Sequence, residues 1–165
     1  MIEDQANFLE SLIALLEEHR IRYCLADGVT VNAYAAPVVT EDLDLAVAVD
    51  QLEQAEALLR GRFKVERFAY TLNVVTPGSN LRVQIRTDPC YFDFVDRASR
   101  RGILGLTLPV AAVEDVLQGK VWAVLETQRR ASKRQKDLAD ISRLLEAFPQ
   151  LRDRVPAEVL ARLFT

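Results

Sequence analysis

The chain opens on a helical period. Phe8, Leu9, Leu12, Ile13, Leu15 and Leu16 recur at helical spacing and predict an amphipathic helix from about Asp4 to His19. The period changes at Ile21, where a short apolar run to Ala26 predicts a buried strand that Asp27-Gly28 breaks. Val29 to Ala36, small and apolar, suits a short helix stopped by Pro37. Leu43 to Val49 reads as a second buried strand, after which Asp50 is placed to N-cap a helix from Gln51 to Arg60.

Alternation then takes over. Phe63–Phe68, Thr71–Thr76 and Leu81–Arg86 predict short strands, the last two joined by the turn Pro77-Gly78-Ser79-Asn80. Tyr91–Ala98 fits neither period, and Ile103–Leu108 predicts a closing strand that Pro109 ends. Helical spacing returns at Val113–Glu126, Lys136–Phe148 and Pro156–Phe164, leaving polar Gln128–Gln135 as an exposed loop. This order predicts an α/β (α+β) fold, a sheet with helices packed on one face and a helical C-terminal end. One domain over 1–165 is expected, with the sheet-containing core to about residue 110 and C-terminal helices from about 111.

Composition narrows the classes. Half the residues are hydrophobic and 27% charged, ordinary for a globular domain. A net charge of -3 and a pI near 5.3 give no global drive toward nucleic acid. Locally, Arg129, Arg130, Lys133, Arg134 and Lys136 form a basic cluster that faces either phosphates or water. Cys24 and Cys90 lack metal-ligand spacing, and His19 alone supports neither a zinc site nor a Ser-His-Asp triad. The acidic start Met1-Ile2-Glu3-Asp4 is unlike a signal peptide, and no apolar stretch reaches membrane-spanning length. The expectation is a cytoplasmic, reduced, soluble protein with no membrane partner.

The chemistry concentrates in Asp42-Leu43-Asp44. On a strand, residues two apart share a face, so the two carboxylates stand side by side. Like charges that close repel, and burying them is costly unless a cation lies between. Paired carboxylate oxygens suit Mg²⁺ that is completed by substrate phosphates. By themselves, however, these aspartates could equally belong to an unrelated α+β domain in which they merely start a strand.

Leu25-Ala26-Asp27-Gly28-Val29-Thr30-Val31-Asn32-Ala33-Tyr34, followed by Thr40-Glu41-Asp42-Leu43-Asp44-Leu45, resembles the nucleotidyltransferase superfamily, the DNA polymerase β-like fold. The likeness is to the AbiEii-type toxin branch and related minimal nucleotidyltransferases. Glu114-Asp115-Val116-Leu117-Gln118-Gly119-Lys120 resembles that branch's helix with an inward lysine. Lys136-Asp137-Leu138-Ala139-Asp140-Ile141 resembles its Lys-Asp-x-x-Asp-Ile element.

The resemblance implies a nucleotidyltransferase-like mixed β-sheet. It implies that Asp42 and Asp44 hold Mg²⁺ or Mn²⁺, and that an NTP binds at Asp27, Gly28, Thr40 and Gln84. Lys120 and Asp140 would assist catalysis by positioning phosphate or acceptor. A nucleoside monophosphate would pass to a hydroxyl of RNA, a protein or a small molecule, with an antitoxin as partner protein.

Two departures stand out. Asp27-Gly28 replaces a pair of small residues, and Gln84 stands where the family usually has a third carboxylate. An amide can ligate through its oxygen but cannot accept the nucleophile's proton. Asp88 and Asp93 are the nearby acids that could substitute. The alternative reading is therefore a catalytically degenerate nucleotide-binding or protein-interaction domain of the same fold. Simpler roles stand beside the rest: Lys120 packing its stem and snorkelling, Asp137 charging a helix start, Trp122 and Tyr34 filling the core.

Overall fold

A computed structural model describes residues 2–28, 34, 42–103 and 105–163. The chain runs α1 (Ile2–Glu18), β1 (Tyr23–Gly28), β2 (Asp42–Val47), α2 (Leu52–Arg60), β3 (Lys64–Arg67), β4 (Thr71–Val75) and β5 (Arg82–Arg86). It continues through α3 (Phe94–Arg97), β6 (Ser99–Ile103), β7 (Leu106–Val110), α4 (Val113–Leu125), α5 (Ala131–Ala147) and α6 (Ala157–Leu163). Short 3-10 turns at Val49–Gln51, Pro89–Tyr91 and Pro149–Arg154 link some of these.

The described strands form one seven-stranded sheet in the order β3-β4-β5-β2-β1-β7-β6. It is mixed: β2 runs antiparallel to β1 but parallel to β5, and β1 runs parallel to β7. Strand β2 is buried from Leu43 to Val47, so both its faces are covered, as its nearly unbroken apolar run requires. The stripe of α1 is buried in the same core, where Phe8 meets Phe63 edge-on at 5.2 Å between ring centroids. From the other end, Val116, Leu117, Val121 and Val124 of α4 join Ile141 and Leu144 of α5.

Several expectations are corrected. The segment taken as one closing strand is a hairpin, β6 and β7, turned at Gly105 with a φ of 77° that favours glycine. Pro109 lies inside β7 rather than ending it, because pairing with β1 begins only at Val110 and its missing N–H costs no bond there. Asp50 caps nothing; a 3-10 turn precedes α2, and Asp50 instead pairs with Arg22 at 2.6 Å. Helix α5 begins at Ala131, so residues 131–135 of the expected loop are its first turns. Trp122 is 38% exposed, stacked on Phe94 at 6.1 Å.

Tyr34 does fill the core. Its hydroxyl donates to the Ala111 carbonyl at 2.6 Å, and its ring meets Phe148 edge-on. The rest of the helix expected over Val29–Ala36 lies outside the described residues.

Candidate active site

The site begins as a register. Across the parallel β2–β5 ladder, Asp42 lies opposite Arg82, Asp44 opposite Gln84 and Ala46 opposite Arg86. The next strand outward sets Asn73 opposite Gln84, while β1 sets Asp27 opposite Asp44 and Gly28 opposite Leu43. A register shift between Leu25 and Asp27 creates that last alignment. Bulges of this kind re-aim a strand end, and here the bulge brings Asp27 level with Asp44. Cross-strand partners share a face, so Asn73, Gln84 and Asp44 form one polar row across three strands of an otherwise apolar sheet centre.

Asp44 is buried, and Asp42 is half-buried at the strand's start. The cations that let two such carboxylates coexist come from β5. Arg82 Nη2 lies 2.9 Å from Asp42 Oδ1, and Arg86 Nη2 donates to Asp44 Oδ2 at 3.2 Å. Arg86 also lies over the Tyr91 ring, 5.4 Å from its centroid. Sequence reasoning missed both arginines. The signal was available, since Arg82, Gln84 and Arg86 alternate along β5 and so share the face that meets the aspartates.

Helices α4 and α5 supply the opposite wall. Lys120 is only 3% exposed, which excludes a snorkelling role. Its Nζ lies 2.9 Å from Asp140 Oδ2 and 3.4 Å from Asp137 Oδ1. Asp137 is 1% exposed and receives a bidentate pair from Arg129, at 2.9 and 3.1 Å. Asp140 is held from its other side by Arg143 at 2.9 Å. Asp137 is therefore a buried member of a charge network and does more than charge a helix start. Spacing explains the meeting: Asp137 and Asp140 are three apart on α5, so both face α4. The inward lysine sits one residue after Gly119, where an added Cβ would come within 3.5 Å of Tyr91.

Between the two walls lies a small cleft of about 80 Å³. Asp42, Asp44 and Gln84 line one side, and Lys120, Arg129, Lys133, Lys136 and Asp137 the other, with Arg86 between. Five cationic side chains thus face three carboxylates, although the whole chain is acidic. The local field favours a polyanion that the net charge would repel. The cluster expected to face phosphates or water places Arg129, Lys133 and Lys136 on this cleft.

Other expected residues fall elsewhere. Asp140 backs Lys120 without lining the cleft. Asp88 lies in a neighbouring hollow with Cys90, Trp122 and Glu126, and neither it nor Asp93 lines the cleft as a substitute acid. Partial burial raises the Asp88 carboxyl above its ordinary range. Thr40 lies outside the described residues.

Among the described residues, no three His, Cys, Asp or Glu side chains gather to hold a metal. The donors that are present, two carboxylates and the Gln84 amide oxygen, are hard oxygen ligands. They fit Mg²⁺ or Mn²⁺ only as part of a shell that substrate phosphates complete. None of the described helices is long and apolar enough to cross a membrane.

A mixed sheet with an aspartate pair on its central strand, faced by a lysine-bearing helix, defines a nucleotidyltransferase fold. Solved structures agree on the fold. ANT(2'')-Ia in complex with adenylyl-2''-tobramycin superposes with a TM-score of 0.68 at 12% identity, covering 96% of this chain and 98% of that one. The lincomycin-bound lincosamide antibiotic adenylyltransferase LnuA gives 0.56 at 13% identity, over 82% and 95% of the two chains. An antigenic nucleotidyltransferase-like protein from Paracoccidioides brasiliensis gives 0.58 at 17%, over 98% and 86%. No curated protein sequence matches significantly. Residues 31–165 match the family described as nucleotidyl transferase AbiEii toxin, type IV toxin–antitoxin system. The chain belongs to the AbiEii nucleotidyltransferase family.

Proposed function

We propose that this protein, acting as one domain, transfers a nucleoside monophosphate from an Mg–NTP to a hydroxyl acceptor. The observation that carries the reading is the cleft itself, where the Asp42–Asp44 pair faces a cationic wall in an acidic protein. Asp42, Asp44 and the Gln84 oxygen would hold Mg²⁺ or Mn²⁺. When bound, the divalent cation neutralises developing charge and orients the attacking and leaving oxygens. Lys133 and Lys136, exposed on one face of α5, would bind the outer phosphates. Arg129 and Lys120, fixed by Asp137 and Asp140, would position them with little reorganisation. Asp27, Gly28 and Thr40 would border the nucleotide from the β1 side.

The acceptor is RNA, a protein side chain or a small molecule. The family's toxin–antitoxin description supports a toxin role with an antitoxin partner. A second reading has a specific observation behind it. Gln84 in the third acid's place and arginines on both aspartates also suit a domain that binds nucleotide without turning it over.

The deciding experiment incubates the protein with each α-³²P-NTP, Mg²⁺ or Mn²⁺, and three acceptor pools: cell RNA, cell protein and small molecules. Label transfer that disappears in Asp42→Ala/Asp44→Ala supports the enzyme. Nucleotide binding without transfer to any pool supports the second reading.

A further inference from the structure

The two aspartates are already neutralised, and by residues of this chain. Arg82 and Arg86 reach Asp42 and Asp44 at 2.9 and 3.2 Å, one from each side of Gln84. Strand β5 therefore presents cation, neutral amide, cation to the face where β2 presents its two carboxylates. A divalent ion arriving alone would have to displace two guanidinium groups. Among the described side chains it would gain two charged ligands and one amide, because Gln84 adds no charge.

We propose that Arg82 and Arg86 are built-in counter-cations, holding the place of the metal at Asp42 and Asp44 until a nucleoside triphosphate draws them onto its phosphates. Metal and nucleotide then bind together and each only weakly alone. This rests on the proposed function for the nucleotide half, but not for the metal half. The exchange is chemically matched, since a guanidinium fork suits phosphate oxygens as well as carboxylates. Arg82 is accessible to an incoming phosphate, with a side chain 57% exposed. Arg86 already borders the phosphate-binding cleft. The coupling must be reciprocal: whatever factor nucleotide adds to metal affinity, metal adds to nucleotide affinity.

The same arrangement gives each arginine two duties. Without ligand it offsets repulsion within a buried acidic pair, and with ligand it becomes a phosphate contact. Gln84 is consistent with this, because a third acid between the arginines would bind one of them or recruit metal alone.

Mn²⁺ binding is the test, read from the loss of the free-ion electron paramagnetic resonance signal with no nucleotide present. Wild type should bind Mn²⁺ at least tenfold more weakly than Arg82→Met/Arg86→Met, with Arg22→Met as a surface control. If the double variant does not fold, as judged by circular dichroism, exposed Arg82→Met alone should still tighten Mn²⁺ measurably. Equal Mn²⁺ affinity in wild type and variants overturns the proposal. In a second arm, metal-free binding of α,β-methylene NTPs should weaken at least tenfold in the double variant. If no nucleotide binds any form, with or without metal, the proposed function and the nucleotide half both fall. The metal-alone comparison still decides the counter-cation half.

Discussion

Gln84 pairs in register with Asp44 across the parallel β2–β5 ladder, and it is flanked on its own strand by Arg82 and Arg86. This relationship sets the charge balance between the facing residues of β2 and β5. With an acid at residue 84, the facing residues of β2 and β5 would set three carboxylates against two arginines; with the amide, charges on the two strands balance. Gln84→Glu should therefore tighten Mn²⁺ alone by at least tenfold, while Gln84→Ala, which removes the amide ligand and adds no charge, should weaken it. Electron paramagnetic resonance titration reads both, and no difference between the variants would refute the balance argument.

The buried network of Lys120, Asp137, Asp140, Arg129 and Arg143 holds three cations and two carboxylates. Removing a carboxylate should hurt more than removing the lysine, since it strands Lys120 and Arg129 on fewer anions. Asp137→Asn is expected to cost about 3–5 kcal/mol, the usual range for breaking a buried pair. Lys120→Met should cost less, as each aspartate keeps an arginine. Urea unfolding of both variants checks the order, and the reverse order would show that Lys120 is the keystone.

Lys133 and Lys136 are exposed and touch the cleft without belonging to the buried network. Lys133→Ala/Lys136→Ala should leave the melting temperature unchanged and weaken nucleotide binding about tenfold, at roughly 0.5–1 kcal/mol per exposed charge contact. The loss should shrink at high salt, as screening predicts. Calorimetric titrations at low and high ionic strength measure this, and a salt-independent loss would contradict it.

Cys24 is buried and Cys90 exposed. Burial, with the Asp115 charge adding to it, pushes the Cys24 thiol up to about 12. A thiol reagent should label Cys90 rapidly and Cys24 only on unfolding. The unfolded thiol ionises near 8.5, so unfolding releases a proton above that pH while the folded state keeps it. Cys24 should thus leave stability untouched below about pH 8.5 and erode it as pH rises toward 12. Cys24→Ala should show a shallower alkaline loss in urea melts across that window.

Local order was legible from patterning because period is a local property. The α1 stripe, the buried run of β2 and the turn at Gly78, with its φ of 86°, lie as the residues predict. Misreadings came where a distant neighbour overrules the local signal. Pro109 reads as a terminator until the late start of the β1–β7 pairing removes its penalty. Polar residues 131–135 read as a loop, but they continue the helix that carries Asp137 and Asp140 to α4.

The candidate site divides the same way. Asp42 and Asp44 must share a face wherever their strand lies, so the sequence by itself determined that a cation was needed and that a nucleotidyltransferase-like site was the likeness to test. Which cation answers the need was beyond it. Arg82 and Arg86 are some forty residues away, and only the parallel register of β5 on β2 sets them against the aspartates. The burial of Lys120 likewise depends on α5 packing against α4, which no spacing within either helix encodes. Alternation and helical period are written into neighbouring residues, whereas charge pairing across a sheet is decided by strand order and register.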